Sequence, residues 1–191
     1  MDDAARKNEE TTLIERSIAG DADAFQILMR RHMPRCFRIA RQFGLSQEDA
    51  ADAVQEAFIS AFQALDKFNF SFRFSTWITR ILLNKLSNWR RTLRRAQKYF
   101  TRPSDQGAHI EFESAEETPE QQLENRELRT ALENAVSLLP EKWKRVFILF
   151  EIEGFKTREI ANIINIPEGT VTSRLHHARL SLRKTLKEIS T

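Results

Sequence analysis

A run of cationic residues follows an apolar segment in the first half of the chain. The segment from Ser75 to Asn84 is rich in apolar residues, and the cations after it are Lys85, Arg90, Arg91, Arg94, Arg95 and Lys98. Guanidinium and ammonium groups clustered along a helix are typical of contact with nucleic-acid phosphates. A solvated charged face is the alternative, but no acidic residue lies within the run to neutralise it. We therefore expect phosphate contact.

Aromatic residues alternate with polar ones just before this helix, from Phe68 to Phe74. Taken alone, the alternation predicts a β-strand. A single strand would have no partner in an otherwise helical chain, so we expect a loop. Phe70 and Phe72 could stack on unpaired bases or pack in the core, and the sequence leaves both open. The positions at helical spacing with the helix start are predicted to face the core: Phe74, Trp77 and Ile81.

A helix-turn-helix is predicted near the C-terminus. Residues 157–165 form the first helix, residues 166–169 the turn, and the second helix begins at Thr170. Ala161 is small where the helices approach, and an apolar stripe faces the first helix through Val171, Leu175, Ala178 and Leu182. Asn165 occupies a turn position where Gly is common, and Asn tolerates left-handed backbone geometry. The alternative is a helical hairpin with a solvated face.

The outward side of the second helix carries polar and cationic residues suited to DNA. A helix of this kind fits the major groove, where side chains can hydrogen-bond to base edges. The candidate base-reading residues are Thr172, Ser173, His176 and His177. Phosphate contact is predicted for Arg174, Arg179, Arg183 and Lys184. Thr170, at the start of the helix, is included among the DNA-contacting residues.

The composition favours an all-α protein that positions these groups on helices. Of 191 residues, 30% are charged and only 5 are Gly and 5 Pro, which disfavours a turn-rich β fold. Helices are predicted over residues 11–43, with Pro34 kinking or dividing the second and Gly44 ending it. Asp21 can cap that helix. Another helix begins near Ser46 and presents one apolar face through Val54, Phe58, Ala61, Phe62 and Leu65.

Two small helical domains joined by a flexible acidic linker account for the pattern. We place the first domain at residues 1–100, the linker at residues 101–122 and the second domain at residues 123–191. The linker contains Pro and Gly, and its acidic residues are not interrupted by cations. Apolar periodicity returns at Leu123, stops at Pro140 and resumes from Trp143 to Gly154.

Nothing in the sequence indicates an enzyme, an exported protein or a membrane protein. His32 and Cys36 are four residues apart and could share a helix face, but two ligands are too few for a metal site. No phosphate-binding Gly loop or nucleophile motif is present. We therefore expect no catalytic residue, metal, cofactor or small-molecule substrate. The single cysteine and the lack of a long apolar segment predict a cytoplasmic protein without membrane insertion. A dimeric helix-turn-helix regulator is the remaining rival, although no dimerisation helix is evident.

The chain resembles the ECF (extracytoplasmic function) sigma factors, the smallest members of the sigma-70 family. Residues 49–58 look like the family's acidic helix, which docks on the β′ clamp helices of core RNA polymerase. By this resemblance the docking contacts fall on Asp49, Asp52, Gln55 and Glu56. Residues 68–95 are similar to the minus-10 segment, which implies that Asn84 and Asn88 read or hold the melted promoter strand. The loop at residues 69–73 departs from the family, in which Gly and an acidic residue are common.

The C-terminal third resembles the sigma domain that binds the minus-35 element and the β flap. Residues 139–147 and the helix-turn-helix carry this similarity. The acidic linker replaces the middle domain of larger sigma factors and by resemblance threads through the polymerase channel. The resemblance implies promoter-specific transcription initiation by a protein that binds core RNA polymerase and promoter DNA. It also implies control by an anti-sigma factor.

Overall fold

The structure, a computed structural model, describes residues 3–97 and 130–189, with side chains described for residues 5, 7–87 and 130–187. Every regular element in these ranges is a helix or a helical turn, which confirms the all-α prediction. The chain divides into two compact units, one holding most of residues 3–97 and the other residues 130–189. The predicted linker at residues 101–122 lies outside the described residues, as do Leu123 and Leu128.

The first unit begins with a helical hairpin formed by α1 (Asp3–Ile18) and α2 (Ala22–Gln42). Gly20 adopts a φ of 97°, and Asp21 caps α2 by accepting the N–H groups of Asp23 at 3.0 Å and Ala24 at 3.1 Å. The α1 helix starts earlier than the predicted residue 11. An ion pair between Glu9 and Arg31 at 2.7 Å and a hydrogen bond between Glu10 and His32 at 2.8 Å attach its N-terminal half to α2. Apolar periodicity could not reveal polar contacts of this kind.

Pro34 lies inside α2 and does not divide the helix. Of the two outcomes predicted for this residue, a kink or a division, the division does not occur. Leu28 before the proline and Cys36 and Ile39 after it are all buried. Because they lie on one helix face, burial of that face keeps the helix continuous although the proline lacks an N–H donor.

Three further elements complete the first unit: α3 (Gln47–Gln63), a 3₁₀ turn (Leu65–Lys67) and α4 (Phe74–Gln97). The buried face of α3 is rich in alanine, which lets α4 pack closely against it. Phe62 is 51% exposed and Leu65 lies beyond the helix, so the predicted apolar face of α3 was wrong at these two positions. Residues 68–73 form a loop, as predicted.

The buried face of α4 repeats every four residues. Phe74, Ile78, Leu82 and Leu86 are buried, whereas Trp77 and Ile81 are only half-buried. The prediction of a core-facing position is confirmed for Phe74 and for Trp77, whose ring packs on those of buried Phe68 and Phe74, whereas Ile81 is covered only in part. Residues four apart lie on the same side of a helix, so Ile78 and Leu82 share the face of α4 that packs against α3.

The second unit contains α5 (residues 130–137), α6 (Glu141–Phe147), a π-helical turn (Ile148–Ile152), α7 (Thr157–Ile164) and α8 (Glu168–Ile189). In the π-helical turn the N–H of Glu153 donates to the Ile148 carbonyl at 3.0 Å. The α8 helix packs against both α6 and α7. A core cluster joins these elements and consists of Ala135, Val136, Leu139, Phe147, Ala178 and Leu182.

The turn between α7 and α8 is shorter than predicted. Asn165 adopts left-handed geometry, with φ 54° and ψ 56°, as the sequence indicated. However, α8 starts at Glu168 rather than Thr170. Pro167 cannot donate a backbone hydrogen bond and precedes the first helical residue, where that loss costs nothing, so the helix begins directly after it.

Candidate nucleic-acid interface

One side of α8 packs against the rest of its unit, and the opposite side is largely exposed to solvent. Val171, Leu175, Ala178 and Leu182 are buried, and α7 supplies buried Ile160 and Ile163. The predicted base-reading residues are all exposed: Thr172, Ser173, His176 and His177. Thr170 and Arg174 are half-buried. This arrangement presents polar donors and acceptors along the N-terminal half of a fixed helix, which suits insertion into a DNA groove.

A hydrogen bond joins the beginnings of the two helices of the helix-turn-helix. The hydroxyl of Thr157, the first residue of α7, donates to the carboxylate of Glu168, the first residue of α8. At the other end of α7 the N–H of Ile166 donates to the Ala161 carbonyl at 3.1 Å. These bonds and the left-handed Asn165 fix the angle between the helices through local contacts.

His177 contacts a residue that the sequence did not single out. Its ring stacks on the indole of Trp143, with 5.4 Å between centroids and 18° between planes. His176 lies edge-on to His177 at 5.8 Å. These three rings therefore form a continuous series. Trp143 of α6 is half-buried, and the two histidines of α8 are exposed.

Arg179, predicted to contact phosphate, is paired within the protein. Its Nε and Nη2 donate to Oε1 of Glu151, at 2.8 and 2.6 Å, and its guanidinium lies 5.6 Å from the centroid of the Phe150 ring. Glu151 and Phe150 belong to the π-helical turn. Because Arg179 remains exposed, the pair is accessible to solvent, and a phosphate would have to compete with Glu151 for the guanidinium.

The aromatic loop at residues 68–73 is built around a buried phenylalanine. Phe68 is buried and contacts Trp77 at 5.2 Å and Phe70 at 5.2 Å between ring centroids. Phe70 is 42% exposed and Phe72 is 36% exposed, so both rings have a face or edge available to a partner. The loop is closed by Asn69, which accepts the N–H of Ser71 at 2.9 Å through its side chain.

Basic helix α4 begins beside this loop. Asn84 is exposed, and Nζ of Lys85 lies 3.6 Å from Oε2 of Glu56 in α3. The backbone of the following residues is helical. The side chains of Asn88, Arg90, Arg91, Arg94 and Arg95 lie outside the described ones, so their phosphate contacts stay predictions.

The acidic face of α3 lies opposite its buried alanines. Asp52, Gln55 and Glu56 are exposed, and Asp49 is half-buried. A neighbouring apolar groove of about 830 Å³ runs between α2 and α3. Its walls include Phe25, Met29, Met33, Val54, Ile59 and Phe62, and Gln55 also lines it. The sequence analysis placed Phe62 on the apolar face of α3 but did not predict this groove.

His32 and Cys36, the two residues considered for a metal site, have other surroundings. His32 Nε2 lies 2.8 Å from Glu10 Oε1, and its ring contacts Phe74 at 5.1 Å. Cys36 is buried in the first unit. Within the described ranges no three potential ligands come together as a metal site would require. Over the same residues, no helix has the length and apolar character needed to cross a membrane.

Two family models match the chain and coincide with its two units. Sigma-70 region 2 matches residues 28–96, and Sigma-70 region 4 matches residues 129–182. The ECF RNA polymerase sigma-E factor of Escherichia coli (strain K12) is 34% identical over 175 residues, which cover 87% of this chain and 88% of that protein. The chain belongs to the ECF sigma factors of the sigma-70 family. As a sigma factor it binds core RNA polymerase and directs promoter-specific initiation through minus-10 and minus-35 recognition, and it is not an enzyme.

Two solved structures have the fold of this sigma factor. One is CnrH in complex with the cytosolic domain of CnrY, with a TM-score of 0.67 and 26% identity over 94% of this chain and 98% of that one. The other is the sigma factor RpoE in complex with the anti-sigma factor NepR from Bartonella quintana. Its TM-score is 0.65, with 23% identity over 85% of this chain and 96% of that one.

The region 2 match contains the aromatic loop, nearly all of α4, the acidic face of α3 and most of the groove. The region 4 match contains the exposed face of α8, Trp143 and Glu151. Helix α1 precedes the region 2 match, and it is held by buried Leu13 and Ile14 together with the two polar contacts to α2 described above.

Proposed function

We propose that α8 enters the major groove of the minus-35 element of the promoter. The supporting observation is its buried apolar stripe opposite a side on which the four proposed base-reading residues are all exposed. Base edges would be read by Thr172, Ser173, His176 and His177. Backbone phosphates would be contacted by Thr170, Arg174 and Arg179, which fix the position of the helix without conveying sequence.

Region 2 would capture the melted minus-10 element. The partly exposed rings of Phe70 and Phe72 suit stacking on unpaired bases, since every base has an apolar face. Asn84 and Asn88 would hold the same strand. Its phosphates would be contacted by Arg90, Arg91, Arg94 and Arg95. Extruding a base costs a few kcal/mol, so the free protein should bind duplex promoter weakly and need polymerase for full affinity.

Core polymerase would bind the acidic face of α3. Asp49, Asp52, Gln55 and Glu56 would contact the β′ clamp helices, and the region 4 unit would contact the β flap. The supporting feature is that three of these four side chains project from the exposed side of a helix whose opposite side is buried. The acidic linker, residues 101–122 between domains at 1–100 and 123–191, would follow the polymerase channel.

An anti-sigma factor would control this sigma factor by covering the same surfaces. The groove between α2 and α3 offers methionine and aromatic side chains of the kind that receive an amphipathic helix. Gln55 belongs both to the groove and to the proposed docking face, so an occupied groove would obstruct polymerase. We further propose that the protein acts in the cytoplasm, where its homologues act on RNA polymerase.

The test is transcription from genomic promoter fragments by the full chain with bacterial core RNA polymerase. The variant D49A/D52A/E56A should lose polymerase binding and initiation. The matched control E15A/D66A, which removes exposed acids outside α3, should retain both. Tight duplex binding by the protein alone, with no polymerase binding, would overturn the proposal in favour of a conventional helix-turn-helix regulator.

A further inference from the structure

The stack of Trp143 on His177 connects the core of region 4 to the DNA-facing side of α8. Trp143 packs against the core cluster that includes Leu139, Phe147 and Ala178. Its ring also stacks on His177, whose residue is exposed. The indole therefore has one contact in the interior and another with a side chain that points toward solvent.

This contact restricts an otherwise free side chain. An exposed histidine on a helix samples several rotamers, and ordering it on binding weakens affinity. A ring stacked on a fixed indole is ordered before DNA arrives. Stacking engages the face of the imidazole and leaves its edge, which carries the two nitrogens, for hydrogen bonding.

His177 can donate a hydrogen bond in either protonation state. An imidazole carries at least one N–H in both its neutral and its protonated form, whereas it can accept a hydrogen bond only when neutral. Around the stack, the Nζ of Lys142 lies 5.7 Å from the Trp143 centroid, and His176 lies edge-on to His177. In the major groove the acceptors are N7 and O6 of guanine, N7 of adenine and O4 of thymine, and every base pair presents a purine N7.

We propose that Trp143 is a positioning residue that fixes the His177 imidazole to donate a hydrogen bond to a purine of the minus-35 element. This inference rests on the proposed function of α8 as the minus-35 reader. It adds a residue of α6, remote from the helix-turn-helix in sequence, to the determinants of promoter specificity.

The experiment measures initiation by the full chain in holoenzyme on promoters with every base-pair substitution in the minus-35 element. H177A should reduce discrimination at one purine position by about tenfold, and leave the others unchanged. W143L should reduce discrimination at that same position at least threefold, W143F should largely retain it, and W143L/H177A should be no worse than H177A. The control L132A alters a residue packed against the same core cluster and should leave the discrimination profile unchanged.

The outcomes separate this inference from the proposed function. If W143L lowers initiation equally on all promoters, as a purely structural change would, or if H177A retains discrimination at every position, the positioning role is overturned. Should W143L fail to fold, W143M, whose unbranched side chain adapts better to the surrounding core, serves the same comparison. Absence of initiation by the unsubstituted chain would instead overturn the proposed function.

Discussion

Arg179 and Glu151 form a paired contact across two elements of the region 4 unit, with Nε and Nη2 of the guanidinium both directed at Oε1 of the carboxylate. The side chains are 55% and 34% exposed, so the pair contributes at most about 1 kcal/mol to stability. Glu151→Gln should leave folding nearly unchanged while releasing Arg179 for phosphate. We expect tighter promoter binding at low salt and a slope of log K against log salt steeper by about 0.9.

The test measures the affinity of each protein for promoter DNA at salt concentrations from about 50 to about 200 mM, a range over which such affinities change by orders of magnitude. Glu133→Gln, which removes the same charge on α5, is the control. Equal slopes for the two variants would contradict a phosphate role for Arg179.

The cap of α2 should give the protein a pH-dependent stability at low pH. The pKa of Asp21 is lowered because its carboxylate accepts the N–H of Ala24 and pairs with Arg16. A group with a lowered folded-state pKa stabilises the fold fully above its unfolded pKa, near 4, and loses that contribution as the pH falls through the folded value. Asp21→Ala should therefore lower the urea midpoint at pH 7 and have a smaller effect near pH 3. If the variant and the unsubstituted protein differ in urea midpoint by the same amount at both pH values, the ionised carboxylate is not the source of the stabilisation.

Pro34 should be a site at which the fold can be stabilised. It is exposed and interrupts the hydrogen bonding of a continuous helix. Pro34→Ala restores an N–H donor and should increase the free energy of unfolding by about 1–3 kcal/mol. Urea denaturation measures the change. Pro167→Ala, at the residue before α8, should bring no such gain, because no intrahelical bond is missing there.

The turn of the helix-turn-helix should depend on Asn165. Its φ of 54° lies in the left-handed region, which costs most residues about 1–2 kcal/mol. Asn165→Ala should lower the stability of the second unit by about 1 kcal/mol, whereas Asn165→Gly should maintain or raise it. Thermal unfolding followed by circular dichroism compares the two, and an alanine variant as stable as the glycine variant would refute the expectation.

The helices that bury a regular apolar stripe were predictable from sequence. The stripe of α8 from Val171 to Leu182 and the left-handed turn at Asn165 follow from local chemistry, and so does the cap at Asp21. The start of α1 was not predictable, because polar contacts with another helix attach it. The sequence placed Phe62 on the apolar face of α3 but could not show that it is exposed, because periodicity reports which residues are apolar and not which of them a neighbour covers.

The same is true of the candidate site, where features of a single helix were predictable and contacts between helices were not. Spacing placed the polar face of α8, and the resemblance to the ECF sigma factors indicated the acidic face of α3. The partners of those faces come from distant parts of the chain: Trp143 beside His177, Glu151 beside Arg179 and Glu56 beside Lys85. Contacts between elements depend on tertiary packing, which a period in one helix does not encode.

The π-helical turn changes the direction in which side chains project from the helix that precedes the helix-turn-helix. Val146, Phe147, Ile148 and Leu149 are buried consecutively, more than one face of a regular α-helix accommodates. The wider turn behaves like a one-residue insertion, worth about 100° of rotation, so that these four residues face the core and Glu151 still reaches Arg179. A single-residue deletion within 148–150 would rotate Glu151 relative to α8 and so alter the electrostatics of the DNA-facing helix from outside the helix-turn-helix.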